Sequence, residues 1–254
     1  MKGALGVTQA RRKAAPARDG GVAIGKPAPP KPKPAPRAGP RPVGPKIRKE
    51  IFARFAAANP EPRSDLEYRD PYTLLVAVVL SAQATDAGVN KATRRLFALA
   101  DTPEAMLALG EDTVREQIRT IGLYRAKAKN VIALSRILVE QYGGAVPPSR
   151  AALEALPGVG KKTAAVVVNI AFGEATIAVD THIFRVGNRI PLAIAKTADA
   201  MEAALTPIVP APYRRHAHHW LILHGRYICK ARKPDCPRCP IIDLCRYRDK
   251  TSPA

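Results

Sequence analysis

Residues 156–180 read LPGVGKKTAAVVVNIAFGEATIAVD, and no other stretch restricts the fold of this chain as strongly. Pro157, Gly158 and Gly160 lie between apolar residues, which predicts a tight turn entering a helix. Lys161 and Lys162 follow at once, and an apolar helical run then stops at Gly173. With a short helix from Ser149 to Ala155 ahead of it, the block is a helix–hairpin–helix over residues 149–172. Glycines in such a turn let backbone N–H groups face outward, and the helix N-terminus behind them favours an anion such as a phosphate. The same turn can also be an ordinary corner between two helices.

Charge weighs between those readings. The chain has 41 Lys+Arg against 21 Asp+Glu, a net +20, which points to a polyanionic partner, nucleic acid before membrane surface. Residues 1–50 carry +11 of it and the remainder +9, so the body is basic in its own right. The first 45 residues hold ten prolines in runs such as KPAPPKPKPAPRAGPRP and little apolar area, so a disordered basic arm is expected over 1–45. No apolar run approaches the roughly 18 residues that span a bilayer. Neither a secretory segment nor an amphipathic transit helix is evident, and the expected location is the cytoplasm or nucleoid.

Beyond the arm, strand-like alternation is absent and the pattern is all-α. Ile47, Ile51, Phe55 and Ala58 share one helical face, ended by Asn59-Pro60. Asp70-Pro71 starts a helix expected to run to Gln83, and its segment Leu74–Leu80 is apolar all round and therefore buried. Helices follow over Asp86–Leu99, from Thr102 and Gly110, over Arg125–Tyr142, and then Thr181–Arg189, Thr197–Leu205 and Tyr213–Cys229. Gly122 sets Leu123 and Tyr124 on a turn.

Adjacent lysines cannot share a helix face, so one of Lys161 and Lys162 contacts phosphate or solvent while the other points elsewhere. Asp180 precedes Thr181 at a helix start and reads first as an N-cap. All four cysteines, Cys229, Cys236, Cys239 and Cys245, fall in one C-x6-C-x2-C-x5-C run. Clustered thiolates of this kind suit zinc or a [4Fe-4S] cluster, and spacing does not separate the two.

LPGVGKKTA and AVDTHIFRV, with SAQATD upstream and the cysteine run downstream, resemble the endonuclease III family of helix–hairpin–helix DNA glycosylases, from about Lys46 to Tyr247. The resemblance implies a six-helix barrel-like domain over 64–175 beside a second helical domain of residues 46–63 and 176–250. It makes the four cysteines ligands of a [4Fe-4S] cluster in a loop over 229–245. It makes Lys162 the nucleophile and Asp180 its partner. The family's hairpin contacts DNA at Gly158, Val159, Gly160 and Lys161. Gln83 would fill the gap left by an extruded base, Leu123 would wedge into the stack, and His182 would line the pocket. The cations Lys230, Arg232 and Lys233 between the ligands would form a second phosphate clamp. Ala165 stands where the family commonly has asparagine, and no additional domain is expected after Cys245, unlike the mismatch adenine glycosylases.

The implied activity is a monomeric DNA glycosylase and abasic-site lyase for oxidised pyrimidines in duplex DNA. The alternatives are a monofunctional glycosylase for mispaired or alkylated bases, and a DNA-binding protein without catalysis.

Overall fold

The computed structural model describes residues 41–252, which are helical with no strand among them. The arm expected over 1–45 lies outside this range up to residue 40. Its last residues correct the expected boundary. Val43 is 2% exposed, its N–H donates to the Pro191 carbonyl at 2.9 Å, and Pro45 already opens α1, Pro45–Ala58.

Eleven α-helices follow one another among the described residues, and they surround two hydrophobic cores. The first core is built on α2, Pro71–Ser81. Asp70 caps it reciprocally with Thr73: the Thr73 N–H donates to Asp70 Oδ1 at 2.8 Å, and the Asp70 N–H donates to Thr73 Oγ1 at 3.0 Å. Every residue from Tyr72 to Leu80 is buried, as the all-round apolar run predicts. Around α2 lie α3 (Asp86–Leu99), α6 (Tyr124–Tyr142) and α8 (Lys161–Phe172), while α4 (Pro103–Leu109) and α5 (Glu111–Gln117) pack on α6 and α7 (Arg150–Glu154) on α8. Tyr72 hydrogen-bonds Ser135 Oγ at 2.6 Å inside this core, where Ser135 itself donates to the Val131 carbonyl.

The second core joins Ile51, Phe52 and Phe55 of α1 to α9 (Thr181–Arg189), α10 (Ala198–Leu205), α11 (Arg214–Leu223) and the cysteine loop. The expected single helix Tyr213–Cys229 is interrupted. After α11 the chain widens into a π-helical turn over His224–Ile228. Such turns re-aim side chains that a continuous α-helix would point elsewhere. Here it aims Arg226 back at the first core, where the guanidinium meets Asp65 Oδ2 at 2.6 Å and also the Asp86 carboxylate.

Polar links hold the two cores together. Asn169, buried near the end of α8, turns its amide to the carbonyls of Glu174, Thr176 and Arg215 at 2.8, 3.2 and 3.3 Å. Arg150 of α7 reaches Glu202 of α10 at 2.9 Å, while within the second core Trp220 Nε1 donates to the Asn59 carbonyl at 2.8 Å. Truncating Asn169 removes its three hydrogen bonds to these carbonyls, of which that of Thr176 is buried, so Asn169→Ala is expected to cost about 1–3 kcal/mol in urea unfolding. A loss under about 0.5 kcal/mol would mean that water reaches those carbonyls.

Candidate active site

Sequence adjacency at the hairpin becomes a division of direction. Gly158 adopts φ +78°, and a Cβ there would lie 2.8 Å from the Asn130 side chain, so both conformation and close approach require glycine. Val159 is turned inward, its side chain buried and its N–H donating to the Leu156 carbonyl at 3.1 Å. Both its side chain and its donor are thus engaged within the fold. Gly160 has φ −92° and open space beyond its α-carbon, and no side chain caps α8 behind it. The first N–H groups of α8 are therefore open to an anion.

Lys161 and Lys162 are both exposed, but only Lys162 lines a cavity of about 210 Å³, together with Thr163, Val166 and Ile170 of the same helix face. The cavity is a cleft between the two cores. Its first wall is Ser81, Gln83, Asp86 and the α8 face; its second is His218, His219, Ile222 and Arg226. Sequence reading missed both histidines and Arg226, because nothing local distinguishes them from structural residues of a mixed polar helix.

Asp180 lies beside this cleft, with only 9% of its side chain exposed. Oδ1 accepts the N–H groups of His182 and Ile183, both at 2.9 Å, and Oδ2 lies 2.8 Å from His182 Nδ1. Burial acts to push the carboxyl up, but the backbone bond from Ile183, the His182 bond and the charge of Lys162 together hold it below its ordinary 3.8. The cap reading and the charge-partner reading thus describe one carboxylate. His182 stands next to Asp180, with a third of its side chain exposed. It bonds Asp180 and backs onto Gly225, where a Cβ would come within 2.8 Å of the His182 Cβ.

Gln83 and Leu123 depart from expectation in a shared way. The helix expected to reach Gln83 ends at Ser81, and Gln83 takes a left-handed φ of 54° at the rim of the cleft. Leu123 also takes a left-handed φ, 58°, and is 59% exposed, which excludes a core leucine. The two turns are neighbours, since a Cβ on Gly122 would lie 3.6 Å from the Gln83 carbonyl oxygen. Two non-glycine residues in this conformation, side by side at a cleft mouth, mark a strained and displayed pair.

The four cysteines line one apolar cavity with Ile190, Ile228 and Ile241, and none forms a disulfide. Burial first, then the neighbouring sulfurs, push the Cys239 thiol up to about 11, and burial raises Cys245 as well. Four converging thiolates repel one another unless a polycation sits among them, and the all-sulfur donor set fits an iron–sulfur cluster. Two arginines four residues apart on α9, unnoticed in the sequence, brace the loop. Arg185 donates to the Cys229 and Gly225 carbonyls at 3.0 and 2.7 Å. Arg189 donates to the Lys230 carbonyl at 2.7 Å, and its guanidinium lies over the Tyr247 ring at 4.6 Å. Lys230, Arg232 and Lys233 are exposed and in no ion pair among the described residues.

The depressed pKa of Asp180 has a definite consequence for stability. A carboxylate whose folded pKa lies below its unfolded value stabilises the fold above the unfolded pKa, and the contribution disappears as pH falls through the folded one. Asp180→Asn should therefore be less stable than the parent at neutral pH, with the gap closing as pH drops below 3.8. Urea unfolding of both proteins at several pH values tests this; a gap that is constant with pH would contradict it.

Residues 76–211 match the HhH-GPD superfamily base excision DNA repair proteins, and residues 229–245 match the iron-sulfur binding domain of endonuclease III. Endonuclease III of Escherichia coli K12 is 57% identical over 203 residues, covering 80% of this chain and 96% of that protein. The Rickettsia conorii enzyme is 56% identical over 201 residues, 79% and 96% of the two chains. Among solved structures, a trapped endonuclease III–DNA covalent intermediate superposes with a TM-score of 0.74 at 43% identity, covering 80% of this chain and 96% of that one. A thermostable thymine-DNA glycosylase gives 0.71 at 31% identity, with the same coverage. With the hairpin, the cleft lysine and the all-cysteine loop in one chain, this protein belongs to the endonuclease III family of base excision repair enzymes.

Proposed function

We propose that Lys162 carries out the two reactions of this DNA glycosylase and abasic-site lyase on an oxidised pyrimidine turned out of duplex DNA. The observation that carries the assignment is that Lys162, and not Lys161, faces the cleft, with the Asp180 carboxylate close enough to act on it electrostatically. A base inside the stack is out of reach, so the nucleotide is extruded first. Unprotonated Lys162 Nζ then forms a bond to C1′ while the glycosidic bond breaks, and the base leaves with the bonding pair. Loss of one nitrogen proton leaves a secondary amine on C1′, whose lone pair expels O4′ as that oxygen takes up a proton, opening the sugar to a protonated Schiff base. The imine acidifies C2′; loss of a proton there expels the 3′ phosphate and nicks the strand.

Two roles are open to Asp180 as the partner of Lys162: stabilising positive charge on the sugar, and helping the amine lose its proton. A carboxylate satisfied by three donors and held below its ordinary pKa is a weak proton acceptor. It is well suited to stabilising the positive charge that develops on the sugar. We therefore assign it charge stabilisation rather than deprotonation of Lys162.

The open N–H groups at Gly160 and Lys161 are proposed to grip one phosphate. Gln83 and Leu123, displayed on adjoining left-handed turns, are proposed to occupy the duplex where the base has left. The two hydrophobic cores support reading 64–175 as one domain and 46–63 with 176–250 as the other, with the reaction in the cleft between them. The cysteine loop holds the [4Fe-4S] cluster through Cys229, Cys236, Cys239 and Cys245. The bound cluster pins the loop, and Lys230, Arg232 and Lys233 on it are proposed to hold the strand. No described helix is long and apolar enough to cross a membrane, and the basic body supports action as a monomer at the nucleoid.

Borohydride added to the protein with abasic or thymine-glycol DNA should yield a covalent adduct, and Lys162→Gln should abolish the adduct while retaining DNA binding. An adduct that persists in Lys162→Gln would overturn the assignment; base release without trapping by the parent would favour a monofunctional glycosylase. The purified protein should also be brown with bound iron, and removal of the iron should loosen DNA binding through the disordering of residues 229–245. Colourless, zinc-containing protein would refute the cluster.

A further inference from the structure

Arg226 has more donors than its ion pairs use. Nη1 alone serves both partners, donating to Asp65 Oδ2 at 2.6 Å and to the Asp86 carboxylate. Asp65 is fixed further by the Tyr227 hydroxyl, which donates to the same Oδ2 at 2.8 Å. Nε and Nη2 have no hydrogen-bond partner among the described residues, and neither is sealed from solvent. The side chain lines the cavity and is 27% exposed. Three N–H donors of a fixed cation are therefore open, on the wall facing the α8 side from which Lys162 enters. The charges of Arg226 and Lys162 both act on His218, which places guanidinium and amine in one region of the cleft.

A single nitrogen that bridges two carboxylates is a task lysine performs as well. What arginine adds is the rest of the fork, planar and held in place by the bonds at Nη1. The two carboxylates offset the guanidinium charge, so the site offers directed N–H bonds rather than a bare positive field. Such donors suit an oxygen on which negative charge develops, because nothing reorganises as the charge appears. Base release creates such an oxygen. When the glycosidic bond breaks, the bonding pair passes to N1 and is shared with the carbonyl oxygen at C2 beside it. Displacement sets nucleophile and leaving group on opposite sides of C1′, and Lys162 and Arg226 stand on opposite walls.

We infer that Arg226 is a further catalytic residue of base release: its free Nε and Nη2 groups donate to the C2 carbonyl oxygen of the extruded pyrimidine and stabilise the charge gained there as the base departs. No proton passes from the guanidinium; the expelled base anion takes one from water. Every pyrimidine carries this carbonyl, however its C5–C6 bond has been oxidised, whereas a purine has a ring nitrogen at the corresponding position. The contact thus favours pyrimidine lesions as a class and is indifferent to the damage at C5 and C6. The inference rests on the proposed role of this cleft, and Arg226 has no part in the lyase step once the base has left.

Two single-turnover rates test it: base release from thymine-glycol DNA, and borohydride-trapped adduct formed on DNA that already contains an abasic site. Arg226→Lys keeps a cation for Asp65 and Asp86 but loses the spare fork, so the ratio of the first rate to the second should fall about 10- to 100-fold relative to the parent. A merely structural arginine would lower both rates together, so a fall of less than about fivefold overturns the inference, whatever happens to the separate rates. A second measurement needs only the parent protein and decides the matter if the variant does not fold. Sulfur in place of the C2 carbonyl oxygen of 5-hydroxyuracil makes the base a better leaving group but a poor hydrogen-bond acceptor. Its release should be slower than that of the oxygen form; release as fast or faster overturns the inference. Failure of the parent protein to trap abasic DNA would instead remove the proposed role of Lys162, and the two failures are read from different lanes of one experiment.

Discussion

One buried carboxylate links most of the features of this cleft. Asp180 sits where the chain passes from α8 to α9, and its oxygens accept two backbone N–H groups and the His182 ring. The backbone bonds start α9 in the correct direction, and α9 in turn carries Arg185 and Arg189 to the cysteine loop. The charge that makes Asp180 a strong cap is the same charge that faces Lys162. Removing it weakens the helix and the electrostatics at once, which is why a substitution that keeps the shape, such as asparagine, separates the two contributions.

The second wall of the cleft depends on the π-helical turn after α11. One residue more in that turn changes the direction of everything beyond Leu223. Gly225 can then lie against His182, Arg226 reaches Asp65 and Asp86, and His224 comes within 3.9 Å of Cys239. The cysteine loop and the cleft are therefore coupled through a few bonds of backbone. Arg185 ties Gly225 and Cys229 together directly, so loosening the loop loosens the wall that holds Arg226 and the two histidines.

The mouth of the cleft is organised differently. Gln83 and Leu123 are held in a backbone conformation that neither side chain favours, and α2 and α6, on which they end and begin, are anchored in the first core. Strain of this kind persists because rigid elements on both sides leave the turn no alternative. The result is an exposed leucine that is presented rather than hidden.

Much of this was legible in the amino-acid sequence. The caps at Asp70, Thr85, Thr102, Ser149, Asp180 and Thr197 act over three residues, so helix starts follow from local chemistry. The burial of α2 follows from its composition alone, and the hairpin and cysteine spacing, set against a family pattern, singled out Lys162, Asp180 and the four cysteines. What tertiary structure decided depends on contacts far apart in the chain or on backbone torsions with no composition signal. Arg226 meets Asp65 across 161 residues, and Arg185 meets Cys229 across 44. The left-handed turns at Gln83 and Leu123, the inward rotation of Val159 and the π-helical turn arise because neighbouring elements are already packed. The histidines of α11 look like any polar residues on a half-buried helix until the fold sets them against Lys162. Local sequence determined which groups are present; packing decided which of them share the cleft.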